Sequence, residues 1–364
     1  MQALRLHGKR DSWLTLWSQC APTQVRVEVE FCGICGSDIH EYLAGPILAP
    51  AGGNPNEHTG ATLPVIMGHE MSGTITELGE QVKGFTIGQK VVVNPLVSDF
   101  EHGTPPCLSC LAGRINTCKR ATFYGINTPG GGFSSQITVN PSNLILVPEN
   151  VSLKIAALAE PLAVATHMIR KSGFTAGQSV LILGAGPIGL ALLMLLRSME
   201  VGKIFVSEVS DLRIQQARQL GADAVIDPTK VSSANPSNLV LNAIHEVLEE
   251  GVDISFDASG LQSTLETAIA AVRPGGAIFN VAIHEKPLLL NLNDISVTEK
   301  NLTGGICYTK EDFELVMTLL SNKRIAAEHM ITSVVPLTDV VKGGFLELID
   351  NKTQHVKILI QPTI

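Results

Sequence analysis

Between Val180 and Met199 the chain runs from a short apolar stretch into an apolar helix through Gly184-Ala185-Gly186-Pro187-Ile188-Gly189. The window is hydrophobic enough to raise the question of a membrane span. The three glycines and the proline that break it predict instead a buried strand, a tight turn and a helix. A strand apolar throughout must be covered on both faces, which demands more units of the same kind. The chain supplies them: Ile204 to Ser207 then Leu212 to Leu220, Ala224 to Ile226 then Pro236 to Leu248, and the strand runs Asp253 to Asp257 and Gly276 to Val281. Short apolar runs alternating with amphipathic helices are the sequence form of βαβ units, so an α/β, doubly wound parallel sheet is expected over residues 156–300.

The remainder reads differently. Val25-Arg26-Val27-Glu28-Val29 and Gly73-Thr74-Ile75-Thr76-Glu77-Leu78 alternate apolar and polar residues between turns rich in Gly, Pro and Asn, the pattern of half-buried strands. The tail returns to isolated strands at Ile331 to Val335 and Val356 to Ile360. Residues 1–155 and 301–364 are therefore expected to form one β-rich domain. At 364 residues two cores are the natural solution, and a cleft between two domains is the expected place for an active site.

The 34 acidic residues outnumber the 26 basic ones, giving a formal charge of −8 with no Lys/Arg cluster to track a phosphate backbone. Nucleic acid and membranes are thereby excluded as expected partners. The cysteines are odd in number, seven, and three crowd between Cys107 and Cys118. That spacing suits a metal in a reducing compartment better than a secreted disulfide framework. Met1 to Trp17 holds Arg5, Lys9, Arg10 and Asp11 with no apolar core of signal-peptide length, so a cytoplasmic location is expected.

Two motifs carry chemistry. In the glycine run, Gly184 permits a tight turn, Gly186 leaves room for a pyrophosphate, and Gly189 lets the helix pack close to its strand; Pro187 and Ile188 open that helix. Phosphates would meet the positive end of the helix dipole. At the end of the next strand Glu208 suits the ribose 2′-hydroxyl of NAD and repels the 2′-phosphate of NADP, while Arg213 nearby softens that discrimination. Val281, closing a later strand, completes the expected NAD contacts. The second motif is Cys32-Gly33-Ile34-Cys35-Gly36-Ser37-Asp38-Ile39-His40, answered downstream by Gly68-His69-Glu70. Thiolate, imidazole and carboxylate are the ligand types of a catalytic zinc that keeps one position open. Zinc beside a dinucleotide points to alcohol and ketone redox chemistry with a small-molecule substrate.

With these motifs the chain resembles the zinc-dependent medium-chain dehydrogenases from end to end. The matching residues are Cys35-Gly36-Ser37-Asp38, Gly68-His69-Glu70, Gly130 to Phe133, Glu160-Pro161-Leu162, Gly184 to Gly189 and Arg273-Pro274-Gly275-Gly276. Within the family it looks most like the 2,3-butanediol and sorbitol dehydrogenase branch, through His40-Glu41-Tyr42 with Gly45-Pro46, Ala159 to Val164 and Glu299 to Gly304. The resemblance implies a Rossmann sheet joined to a β-rich GroES-like catalytic domain, and a homodimer or homotetramer. It implies that Cys35 and His69 bind catalytic zinc, with Glu70 or Glu160 as the remaining ligand or as a group orienting bound water. It also implies a proton path from Ser37 through the cofactor ribose to His40. Ser37 as a helix cap and His40 as a surface histidine are the plainer readings of those two residues.

The implied substrate is a small vicinal diol or its ketone, of the butanediol/acetoin type, with sorbitol-type polyols as the alternative. A non-catalytic NAD-binding protein is the reading from a different class. The family's structural zinc uses four cysteines. Here Cys107, Cys110 and Cys118 fill the last three positions, Thr104 stands at the first, and Asp99, Glu101 or His102 are left to complete the set. An empty lobe with three reduced thiols is the other outcome. Cys32 forms a C-x-x-C with Cys35 but is expected on the buried strand, and His167 is expected to pack.

Overall fold

In the computed structural model, which describes residues 3–8, 11–15, 20–51, 53–230, 237–284 and 286–362, the apolar runs of the middle of the chain lie side by side as one parallel sheet. Its order is Ala224–Ile226, Ile204–Ser207, Val180–Leu183, Val252–Asp257, Val272–Asn280 and Asn301–Gly304, so the chain starts at the centre and winds outward in both directions. All four residues of Val180–Leu183 and of Ile204–Ser207 are buried, as strands covered on both faces require. Helices Pro187–Ser198, Asp211–Gln219, Ser237–His245 and Gln262–Ala271 supply the cover, and Leu181, Phe205, Val240, Ile244, Leu265 and Ile278 share one core. The expected start of the third of these helices, Pro236, lies outside the described residues.

The chain divides into two units. The first comprises Met1–Glu160, Thr309–Asn322 and Ile331–Ile364; the second, Pro161–Tyr308 and Lys323–Met330. The expected boundary at 300/301 therefore moves. Asn301–Gly304 pairs in parallel with Val272–Asn280 as the last strand of the sheet, because its backbone can complete the ladder there although its side chains are all exposed.

In the first unit the sheet order is Leu144–Leu146, Lys90–Val93, Glu70–Leu78, Val25–Gly33, Lys357–Gln361 and Ile331–Pro336, with Gln136–Val139 also paired to Val25–Gly33. Val25, Val27 and Val29 alternate into the core, each contributing about 1.5–3 kcal/mol by burial. The register of these strands positions the site. Gly33 lies opposite both Glu70 and Leu359, so the strand from the tail is seated beside the turn that begins at Ile34. A Cβ at Gly33 would stand 2.0 Å from Glu70 Oε2, which explains glycine at this crossing. No helix among the described residues is long and apolar enough to cross a membrane.

Candidate functional site

Cys35 lies two residues beyond the strand Val25–Gly33 and caps the helix Gly36–Ala44, whose first turn carries Ser37 and Asp38. The cap is closed by Asp38, whose Oδ2 accepts the Cys35 N–H at 2.9 Å. The other Asp38 oxygen faces His69 Nδ1 at 3.6 Å, and Ser37 Oγ lies 3.3 Å from His69 Nε2. One buried aspartate thus addresses both ligand-bearing segments, the arrangement by which a carboxylate fixes the orientation of a ligating imidazole.

His69 is almost fully buried and its Nδ1 has no hydrogen-bond partner of ordinary length. Burial opposes a charge on the ring, yet Asp38 and then Cys35 outweigh it and hold His69 well above its ordinary pKa. The pocket is an anionic nest that favours a cation. Ligand atoms of Cys35, His69 and Glu70 lie within 4.8 Å of one another, so the donor set fits a zinc ion. Glu160 is buried outside that cluster, near enough to Lys357 to act on its charge.

Sequence reasoning missed Lys357. Its ammonium is fully buried and donates to Glu70 Oε1 and Oε2 at 2.7 and 2.8 Å and to the Ile34 carbonyl at 2.9 Å. Burial alone would depress this amine, but the Glu70 carboxylate, then Cys35, raise it above its ordinary value. Each carboxylate oxygen has two lone pairs, so the ammonium leaves Glu70 able to share with a metal. Asp38 was legible only as part of a family turn; its signal is the carboxylate at the third helical position of a capping box.

His40 follows Ser37 by one helical turn and is exposed. Cys32 is fully buried, and burial pushes its thiol well above the ordinary range, which suits a packed residue rather than a redox centre. All seven cysteines are thiols rather than halves of disulfides.

The cysteine lobe brings together Asp99, Cys107, Cys110 and Cys118 within 4.8 Å. Glu101 is committed to the Ser98 amide and hydroxyl, and His102 to the Arg120 carbonyl and the Thr122 hydroxyl. Thr104 only hydrogen-bonds Asp99. Asp99 Oδ2 accepts the Cys107 amide at 2.7 Å and Oδ1 the Arg120 Nε at 2.6 Å, and despite its burial these donors hold the carboxyl well below the usual range. Cys110 is pushed up to about 12 by burial, a thiol that a metal would have to deprotonate.

In the second unit Gly184 has φ +92°, and a Cβ at Gly189 would fall 1.8 Å from the Gly184 carbonyl oxygen. The helix starting at Pro187 therefore packs against the turn as the glycines demand. Gly186 has open space around it, with an Arg213 nitrogen 4.0 Å from where its Cβ would be. Glu208 is buried beside the glycine turn: Oε2 accepts from Ala185 N–H at 2.7 Å, and Oε1 from the amides of Val209 and Ser210. Ile188 sits in the first turn of the helix, and Val281 directly follows Val272–Asn280 and donates its amide to the Asp257 carbonyl.

Residues 21–149 match the alcohol dehydrogenase GroES-like domain family, and residues 187–322 the zinc-binding dehydrogenase family. An (R,R)-butanediol dehydrogenase of Saccharomyces cerevisiae is 39% identical over 93% of this chain and 91% of its own. A probable acetoin-forming diacetyl reductase of the same yeast is 37% identical over 100% of this chain and 90% of its own. The crystal structure of 2R,3R-butanediol dehydrogenase from Bacillus subtilis superposes with a TM-score of 0.90 at 34% identity, covering 100% of this chain and 99% of that one.

Proposed function

The chain belongs to the zinc-dependent medium-chain dehydrogenases, and from that premise we propose that its reaction is the reversible oxidation of a secondary alcohol in a small vicinal diol, of the butanediol/acetoin type. It is an NAD-dependent zinc alcohol dehydrogenase. The observation that carries the chemistry is the convergence of the Cys35 thiol, the His69 imidazole and the Glu70 carboxylate around one point. The diol is supported by the relatives' names and by their full-length likeness.

When bound, zinc acidifies the alcohol hydroxyl and NAD takes up the hydride from the carbinol carbon. The rest falls to side chains of this chain. Cys35, His69 and Glu70 hold the ion, with Glu160 adding negative charge nearby. Asp38, 3.6 Å from Nδ1, favours a proton on that nitrogen, which would leave Nε2 to ligate. Ser37 receives the proton leaving the substrate, and His40, one turn further along the helix, passes it to solvent. Gly184, Gly186, Pro187, Ile188 and Gly189 seat the pyrophosphate, with Glu208, Arg213 and Val281 at the rest of the cofactor. Replacing Glu208 with alanine should raise the ratio of kcat/KM for NADP over NAD by removing the carboxylate that repels a 2′-phosphate; an unchanged ratio would place the discrimination elsewhere.

We assign a second zinc to Cys107, Cys110, Cys118 and Asp99. Asp99→Ala should lower the zinc content by one ion per chain, read by elemental analysis, without removing the ion at Cys35; unchanged content would refute the assignment. The four exposed residues of the sheet-edge strand Asn301–Gly304 support a homodimer or homotetramer, and the metal-like spacing of Cys107, Cys110 and Cys118 supports a cytoplasmic setting.

The proposal is tested by initial rates of NADH formation on separate butanediol stereoisomers, sorbitol and simple secondary alcohols. Preference for one butanediol isomer, with acetoin reduced in the reverse direction, is expected. Turnover confined to polyols would overturn the diol reading.

A further inference from the structure

Between the last two strands of the first unit the chain makes a π-helical turn, Val340–Leu346, rather than an ordinary α-helical one. Such turns are uncommon and recur at functional sites. This one touches the Cys35 segment directly and reaches the His69 segment through one intervening ring, Phe133. Gly344 brings its backbone onto Ile34, the residue before Cys35, so closely that a Cβ would fall 2.7 Å from Ile34 Cδ1. Phe345, fully buried, packs on Tyr42 with ring centroids 5.2 Å apart, and Tyr42 belongs to the helix that Cys35 caps. Phe345 also meets Phe133, with ring centroids 6.0 Å apart. The Phe133 ring lies against Gly68, where a Cβ would fall 2.6 Å from Cδ1, and Gly68 precedes His69 with φ +88°.

We propose that the π turn is a positioning device and Phe345 its positioning residue, an aromatic wedge that fixes the spacing between the Cys35 turn and His69. The inference rests on the reading of Cys35 and His69 as zinc ligands. Tilted aromatic pairs have a preferred geometry, so a ring in contact with two others transmits position in a way a flexible aliphatic chain does not. An ion held by ligands from two separate segments is sensitive to that spacing within tenths of an ångström.

The experiment follows zinc release from the holoenzyme to a chromophoric chelator. The phase that belongs to the site is the one absent from Cys35→Ala. Phe345→Leu should accelerate that phase by roughly ten- to a hundred-fold, as loss of support around metal ligands does. Phe313→Leu removes an equally buried ring of the same unit, from the helix Lys310–Ser321 that packs on Leu144–Leu146, and should leave the phase at the wild-type rate even where it lowers Tm equally. Gly344→Ala, which retains every ring and displaces Ile34, should also accelerate it. If Cys35→Ala removes no phase, the ligand reading fails; if it does, and Phe345→Leu and Gly344→Ala both release zinc at the wild-type rate, the positioning role is refuted.

Discussion

Replacing Cys35 with alanine is expected to abolish NADH formation and to remove one zinc per chain while the protein stays folded. The thiolate is the softest donor of its cluster and the one most selective for zinc over harder ions. Without it the ion would be left to an imidazole and a carboxylate already shared with Lys357. Loss of the several kcal/mol that a Lewis acid contributes at the substrate oxygen corresponds to a fall in kcat on the order of a thousand-fold or more. The fold should tolerate the change: Cys35 is only half-buried, and the cap hydrogen bond to Asp38 is made by its backbone amide. Elemental analysis, circular dichroism and steady-state rates on one preparation check all three statements. An active alanine variant with one zinc fewer would remove the site from the chemistry.

Lys357→Met should produce a large loss of stability in the first unit, although it keeps the side-chain volume. Methionine matches the lysine stem in length, so packing is kept while the ammonium is lost. Glu70, fully buried, is then left without its cation, and the Ile34 carbonyl without its donor. Breaking a buried ion pair by removing one partner costs about 3–5 kcal/mol, a large part of the ~5–15 kcal/mol that ordinarily stabilises a folded domain. In the metal-free protein Tm should fall by on the order of 10 °C. Zinc bound beside Glu70 restores a positive charge, so the loss should be smaller in the zinc-loaded protein. Adding Glu70→Gln to Lys357→Met should recover part of the metal-free loss, because a neutral amide is less costly to bury alone. Unfolding curves of the wild type, Lys357→Met and the double variant with and without zinc check these expectations; equal losses in both states would show that Glu70 does not face the ion.

Cys35 and Lys357 differ in how far each can be read from sequence. Cys35, Ser37, His69 and Glu70 sit in two short runs whose residue types and spacing already state their chemistry. The glycine loop is likewise local, since strand, turn and helix succeed one another within Val180–Ser198. Lys357 lies 287 residues from Glu70 in sequence and opens an ordinary apolar strand, where a lysine reads as a solvated end. Only the pairing of Lys357–Gln361 with Val25–Gly33 brings it to the site, and pairing partners are not encoded in spacing. Asp99 was one of three candidates for its place. Of the three only Asp99 brings a ligand atom within 4.8 Å of the three thiols, and that is a tertiary fact. The strand Asn301–Gly304 escaped for a third reason: a sheet edge can be completed by backbone alone, without the apolar run by which strands are recognised. The π turn at Val340–Leu346 has no periodic signature short enough to be read at all.

One zinc held by Cys35 and His69 should be the group that enables this chain to oxidise an alcohol with NAD. Stripping the metal with a chelator and titrating zinc back, while NADH formation from a butanediol is recorded, puts that dependence to the test. Activity should vanish with the metal, return in proportion to the zinc regained, and fail to return in Cys35→Ala. Turnover by the metal-free protein, or restoration of the alanine variant by zinc, would contradict it.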